Sequence, residues 1–218
     1  MSEIDLMRHY PKTKSRAAQR PSITEADRRV SKQFGREYFD GDRQTGYGGF
    51  TYHERFWTDT VRLFRDHYRL PGNAAILDVG CAKGFMLYDF MKLMPQARLA
   101  GIDISEYAIE NAIEPVKSFV QVGNARSLPF PDGAFDLVVA VNSIHNLPYE
   151  ECKESLREIE RVSKRHAFVM VDAYRTEDER QALLRWVLTA ETVLHVDGWL
   201  QLFSEAGYTH DYCWWTVE

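Results

Sequence analysis

No run of apolar residues in this 218-residue chain approaches the roughly 20 that cross a bilayer. The opening residues, MSEIDLMRHYPKTKSR, also lack the apolar core of a secretory leader. We therefore expect a soluble, cytoplasmic protein with no membrane partner. Cysteine is scarce: Cys81, Cys152 and Cys213 are odd in number and form no CxxC, which speaks against a disulfide framework or a zinc site and predicts no metal. Positive charge is short too. A net charge of −5 argues against a surface built to neutralise phosphates, so nucleic acid is not an expected partner. Internal repeats and low-complexity tracts are absent.

What is present is enough for one large core: 44% of residues are hydrophobic and 13% aromatic. Charge is unevenly spread. Residues 1–32 hold eight Lys or Arg against four Asp or Glu, a balance of +4, which leaves −9 on the rest of the chain. The expected organisation is a basic tail, solvated over about the first 20 residues, then a helix and a Gly/aromatic segment up to residue 70, followed by a core over 71–218. Ser22-x-x-Glu25 has the capping-box pattern and opens a polar helix stopping near Gly35. Residues 36–50, REYFDGDRQTGYGGF, mix glycine with aromatics and predict a shaped loop. Thr51-x-x-Glu54 opens a second helix, whose residues Trp57, Val61, Phe64 and Tyr68 form one apolar stripe that Pro71-Gly72 ends.

Beyond residue 71 the chain alternates strand and helix: AAILDVG, helix 84–94, ARLAGIDI, helix 105–116, SFVQVG, then FDLVVAV. Helix 149–164, strand 167–173, helices 177–194 and 197–206 and a last strand, YTHDYCWWTV, follow. The rhythm predicts an α/β fold, a doubly wound, mostly parallel sheet with helices on both faces. With a single strand after the last helix, one sheet edge is left to be covered by a homodimer or by the N-terminal segment.

In such sheets ligands bind beyond the carboxyl ends of the strands. The first strand ends in Asp78-Val-Gly80-Cys81-Ala82-Lys83-Gly84, where glycines allow a tight turn and Ala82 is the smallest substitute for a third. The second ends in Asp103, placed to accept from ribose hydroxyls. After the third, Asn124-Ala125 offers an amide that can both accept and donate. A dinucleotide-dependent oxidoreductase would need glycine at positions 82 and 85, which are Ala82 and Phe85.

In order, ILDVGCAKG, LAGIDIS and VGNARSLPFPDGAFDLVVAVNSIHNL resemble the motifs of class I S-adenosylmethionine-dependent methyltransferases over roughly residues 74–173. The resemblance implies S-adenosyl-L-methionine as cofactor and S-adenosyl-L-homocysteine as product. It implies Gly80, Cys81, Ala82 and Gly84 on the methionine side, Asp78 orienting the loop or the amino group, Asp103 with Ile104 at the ribose, and Asn124 with Ala125 at the adenine. Asn142, at the end of the fourth strand, completes the cofactor set. Alanine at 82 and asparagine at 124 depart from the family's usual glycine and aspartate.

The acceptor is expected to be a small molecule bearing a hydroxyl, with an amine as the alternative; an NAD(P) enzyme and an inactive cofactor-binding module are more distant alternatives. His145, beyond the fourth strand, is the candidate general base, since its ordinary pKa near 6.5 suits proton transfer at neutral pH. Sulfonium methyl transfer depends on alignment and exclusion of water, which predicts a lid over residues 38–57. Tyr38, Tyr47 and Tyr52 from that segment, with Tyr174 and Arg175 after the fifth strand, are the candidate acceptor-binding residues beside His145. Asp172 closes the fifth strand on the same edge.

Overall fold

The computed structural model describes residues 1–11 and 23–216. Ser22 of the expected capping box lies outside the described residues. The box is formed instead by Thr24, whose hydroxyl accepts the Asp27 N–H while Asp27 accepts the Thr24 N–H. This opens α1 (Glu25–Ser31), and a short α2 (Arg36–Phe39) follows Gly35. Next comes α3 (Glu54–Tyr68), with His53 rather than Thr51 at its N-cap.

The core runs β1 (Ala75–Val79), α4 (Phe85–Leu93), β2 (Arg98–Asp103), α5 (Glu106–Glu110), β3 (Val120–Val122), β4 (Phe135–Val141), α6 (Tyr149–Val162) and β5 (Ser163–Tyr174). It ends with α7 (Glu177–Trp186), β6 (Leu194–His195), α8 (Val196–Ala206) and β7 (Asp211–Trp215). The sheet order is β3-β2-β1-β4-β5-β6, with β7 also on β5, and the strand pairings are parallel. The order reverses between β1 and β4, which is where a crevice opens.

Strand alternation separates two apolar layers. Ile76, Leu137, Val139, Phe168 and Met170 face α3 and α4, while Leu77, Val138, Ala140, Val169 and Val171 face α6 and α8. On the first face Phe64 and Phe168 are fully buried with ring centroids 5.0 Å apart. Each such ring stabilises the fold by roughly 1.5–3 kcal/mol.

Four expectations need correction. The helix over 105–116 ends at Glu110 because Pro115 lacks an amide donor and disfavours helix before it, and a 3₁₀ turn over Glu114–Phe119 takes over. The helix over 177–194 ends at Trp186, where the Arg28 side chain draws out the Leu184 and Val187 carbonyls. Its expected end at Leu194 is instead the start of β6, and the fifth strand starts four residues earlier than expected, at Ser163. The expected solvated tail is packed over residues 1–11: Leu6 and Met7 are buried in the α3 layer. Glu3 bridges Tyr212 in parallel, so the N-terminal segment covers the β7 edge. No helix among the described residues is long and apolar enough to cross a membrane.

Candidate functional site

The crevice begins in the loop after β1. Gly80 and Cys81 both donate their amides to the Ile102 carbonyl, at 2.7 and 3.0 Å, which turns the loop over the end of β2. Gly80 has φ +84°, and a Cβ there would stand 2.2 Å from the Ser143 Cβ. Only glycine fits, and it leaves room for a ligand against backbone. Ala82 is left-handed as well, at φ +49°, a conformation that costs an L-residue about 1–2 kcal/mol. Asp103 fixes this geometry: its carboxylate accepts the Ala82 amide at 2.7 Å and the Ser105 amide at 2.9 Å.

A cavity of about 820 Å³ lies against this loop. From the core it is lined by Asp78, Gly80, Cys81, Ala82, Asn142, His145 and Asp172; from the segment before α3 by Tyr38, Tyr47 and Phe50. Three expected acceptor residues are not on this wall. Tyr52 donates to Asp89 at 2.5 Å, which ties it to α4; Tyr174 packs its ring against His195; and Arg175 pairs with Glu3 at 3.0 Å. Gly84, Asp103, Ile104, Asn124 and Ala125 also lie off this wall, towards the β2–β3 side, with Ile104 exposed. The Asn124 side-chain oxygen already accepts the Arg126 amide at 3.0 Å, so one lone pair remains for an adenine amino group.

The inner end carries unfilled acceptors. Burial pushes the Asp78 carboxyl well up, and nearby Asp103 adds to that. Asp78 accepts no hydrogen bond among the described residues. The Asn142 side-chain oxygen is buried without a partner, on a residue held at φ +50°. Strain and an unmet acceptor at one position mark a place shaped for a ligand. A cradle closed to any Cβ, a buried carboxylate and an orphaned amide oxygen together fit a ligand carrying ammonium and sulfonium charge.

His145 sits in a 3₁₀ turn after β4, and its carbonyl accepts the Glu191 and Thr192 amides at 3.0 Å each. Its Nδ1 accepts the Asp172 amide at 3.1 Å, and its Nε2 lies 3.6 Å from Asp172 Oδ2. Burial lowers the imidazole's proton affinity, partly offset by Asp172, and burial raises the Asp172 carboxyl, partly offset by His145. The pair is therefore a neutral ring beside a carboxyl group, not a charged bridge.

Several wall residues were not foreseen. Tyr10 and Pro11 come from the packed N-terminal segment, Val187 to Ala190 from the chain released by the early end of α7, and Trp215 from β7. Only the aromatic character of Tyr10 and Trp215 hinted at them, since the contacts join distant parts of the chain.

This sheet order, with its crevice beyond β1 and β4, defines the class I S-adenosylmethionine-dependent methyltransferase fold. Residues 76–166 match the model of the methyltransferase-domain family, whose cofactor is S-adenosylmethionine. A demethylmenaquinone methyltransferase of Symbiobacterium thermophilum is 34% identical over 161 residues, 67% of this chain and 59% of that protein. An Arabidopsis thaliana tRNA (carboxymethyluridine(34)-5-O)-methyltransferase is 29% identical over 133 residues, 60% of this chain and 31% of that one. The chain thus spans less than two thirds of the length of these relatives. Among solved structures, the [4+2]-cyclase SpnF matches with a TM-score of 0.57 at 21% identity, over 95% of this chain and 75% of that one. A tRNA methyltransferase among the relatives means that the exclusion of nucleic acid drawn from net charge is not supported.

Proposed function

We propose that the protein transfers a methyl group from S-adenosylmethionine to a hydroxyl of a small, planar acceptor. The observation that carries this is the shared cavity: the cofactor loop (Asp78, Gly80, Ala82) and the polar groups after β4 and β5 (Asn142, His145, Asp172) open onto one space of about 820 Å³. When bound, the cofactor supplies an electrophilic methyl carbon on a positively charged sulfur. Asp78 and Asn142 would hold the ammonium end, the turn at Gly80 would let the methionine part lie against backbone, and Asp103 would accept from the ribose hydroxyls beyond the cavity. Tyr47, Phe50, Phe56, Trp57, Trp186 and Trp215 give the remaining wall an aromatic face suited to a flat molecule. The 36–50 segment acts as the cover that excludes water while the two reactants are aligned.

An amine acceptor is the second reading, because the Asp78 and Asp172 carboxyl groups and the orphaned Asn142 amide oxygen can accept from it. A cyclase shares the fold, so the fold alone does not fix the reaction. Calorimetric titration with S-adenosylmethionine, S-adenosylhomocysteine and NAD decides the first step. Micromolar binding of the sulfur ligands, weakened at least tenfold by Asp103→Ala, supports the proposal; binding of NAD alone would overturn it.

A further inference from the structure

Building on that reading, we infer that Asp172, rather than His145, takes the proton from the acceptor hydroxyl, and that His145 is the residue that positions it. Three observations meet here. First, the Nδ1 lone pair of His145 is filled by the Asp172 amide at 3.1 Å. A neutral ring with Nδ1 as acceptor carries its proton on Nε2, so neither nitrogen has a lone pair to offer. Second, both ends of that bond are held in place and the ring is buried. Its own carbonyl is held by the Glu191 and Thr192 amides, and the Asp172 amide belongs to β5, where Asp172 is in register with Trp215 of β7. Third, the Asp172 carboxylate lies on the cavity wall, accepts no hydrogen bond among the described residues, and has His145 Nε2 at 3.6 Å. That separation is just beyond hydrogen-bond length, so a small inward shift lets Nε2–H steady one oxygen while the other faces the acceptor.

The groups around Asp172 leave it able to titrate. Trp199 of α8 donates to its carbonyl, not its carboxylate, at 2.9 Å. Trp215 of β7 is not ionisable, and His195 of β6 is occupied with the Arg175 carbonyl and Asp197. His145 is the ionisable group that acts on it, and as a neutral ring it leaves the burial effect largely intact. In the step itself the acceptor's O–H bond breaks and its proton passes to Asp172. The oxygen's electron pair forms the O–C bond, and the C–S pair returns to sulfur. A cationic donor and a carboxylate thus become a neutral thioether and a carboxylic acid, which loses its proton to water when the methylated product leaves.

Nitrogen-15 NMR of histidine-labelled protein with S-adenosylhomocysteine bound reads the tautomer directly. We expect His145 to be neutral, protonated at Nε2 and not at Nδ1, at pH 7 to 8. A ring protonated at Nδ1, with Nε2 free, would overturn the inference even where the homocysteine ligand binds normally. Absence of binding by the wild-type protein would instead overturn the methyltransferase reading, so the two failures are distinct. Phenols of graded acidity, used as acceptors, give the kinetic test. Asp172→Asn keeps the amide that holds His145, and we expect it to lower kcat at least 100-fold on weakly acidic phenols, but under tenfold on phenols already ionised at the assay pH. An equal loss across the series is what a merely structural role predicts. His145→Gln is expected to shift the pH profile and lose up to about tenfold in kcat while keeping the acid limb that Asp172→Asn abolishes; the reverse pattern returns the base role to His145.

Discussion

Lys83 donates to both carboxylate oxygens of Asp40, at 2.7 and 2.6 Å, so the cofactor loop is fastened to the segment that faces it across the cavity. Its third bond goes to the Phe50 carbonyl at 3.1 Å, and Tyr107 joins the cluster by donating to Asp40 at 2.7 Å. The Lys83 side chain is 9% exposed and that of Asp40 27%. Burial raises the Asp40 carboxyl, but the bonds from Lys83, Tyr107 and the Phe50 amide outweigh it and hold the group below the usual carboxylate range.

Removing one partner strands the other's charge, and the more buried charge suffers more. Asp40→Asn is therefore expected to destabilise by about 1–3 kcal/mol and Lys83→Met by less. Amide hydrogen exchange over residues 36–50 should speed up in both, most in Asp40→Asn, with little change in β1 and β4. Unchanged exchange in that segment would show that the cluster does not fasten it.

Gly80→Ala places a Cβ 2.2 Å from the Ser143 Cβ at a φ of +84°. Loss of measurable S-adenosylmethionine binding by calorimetry is the expected result, with a lower Tm. Adding Ser143→Gly removes the clash but not the backbone strain, so the double variant should recover part of the Tm and depart from additivity.

Ala82→Gly acts in the opposite sense. The left-handed turn strains alanine, while glycine carries a larger entropy cost in the unfolded chain. The balance favours glycine by up to about 1 kcal/mol, seen as a Tm higher by about 2–4 °C. A lower Tm would mean that the turn is not strained.

Acid should weaken the fold through His145. Its folded proton affinity is lowered by burial, while the unfolded imidazole binds a proton near about pH 6.5. Between those values the unfolded chain holds more protons, so stability present above about pH 6.5 is lost as pH falls through the folded value. Asp78, Asp103 and Asp172 are raised by burial and act with the opposite sign, losing their contribution as pH rises. Comparing Tm between pH 7.5 and pH 5 in wild type and His145→Gln isolates the histidine: the variant should lose fewer degrees on acidification.

The candidate cofactor loop and strand ends were legible because they depend on short stretches. Glycines at 80 and 84, an acid at 103 and an amide at 124 lie at the end of a strand or shortly beyond it, and the strand's apolar run announces each. The rest of the cavity wall is assembled from residues with no local mark. Val187 to Ala190 reach the wall because Arg28, far away in sequence, ends α7 early. Tyr52 and Arg175 read as acceptor residues by position, yet Asp89 and Glu3 claim them, and neither partnership is visible in sequence spacing. His145 was legible as a residue at the sheet's carboxyl edge and lines the cavity, while the nitrogen it spends on Asp172 depends on β5 geometry.

The docking of residues 2–7 on β7 also bears on how the molecule assembles. Asp5 and Cys213 meet although 208 positions separate them in sequence, and Tyr10 can join the cavity wall only when its segment is in place. Contacts of such long range raise the loop-closure cost of the folding transition state and slow folding. Until β7 has been made, Leu6 and Met7 lack the strand on which their segment docks, so two apolar side chains stay open to chaperones or to aggregation during synthesis.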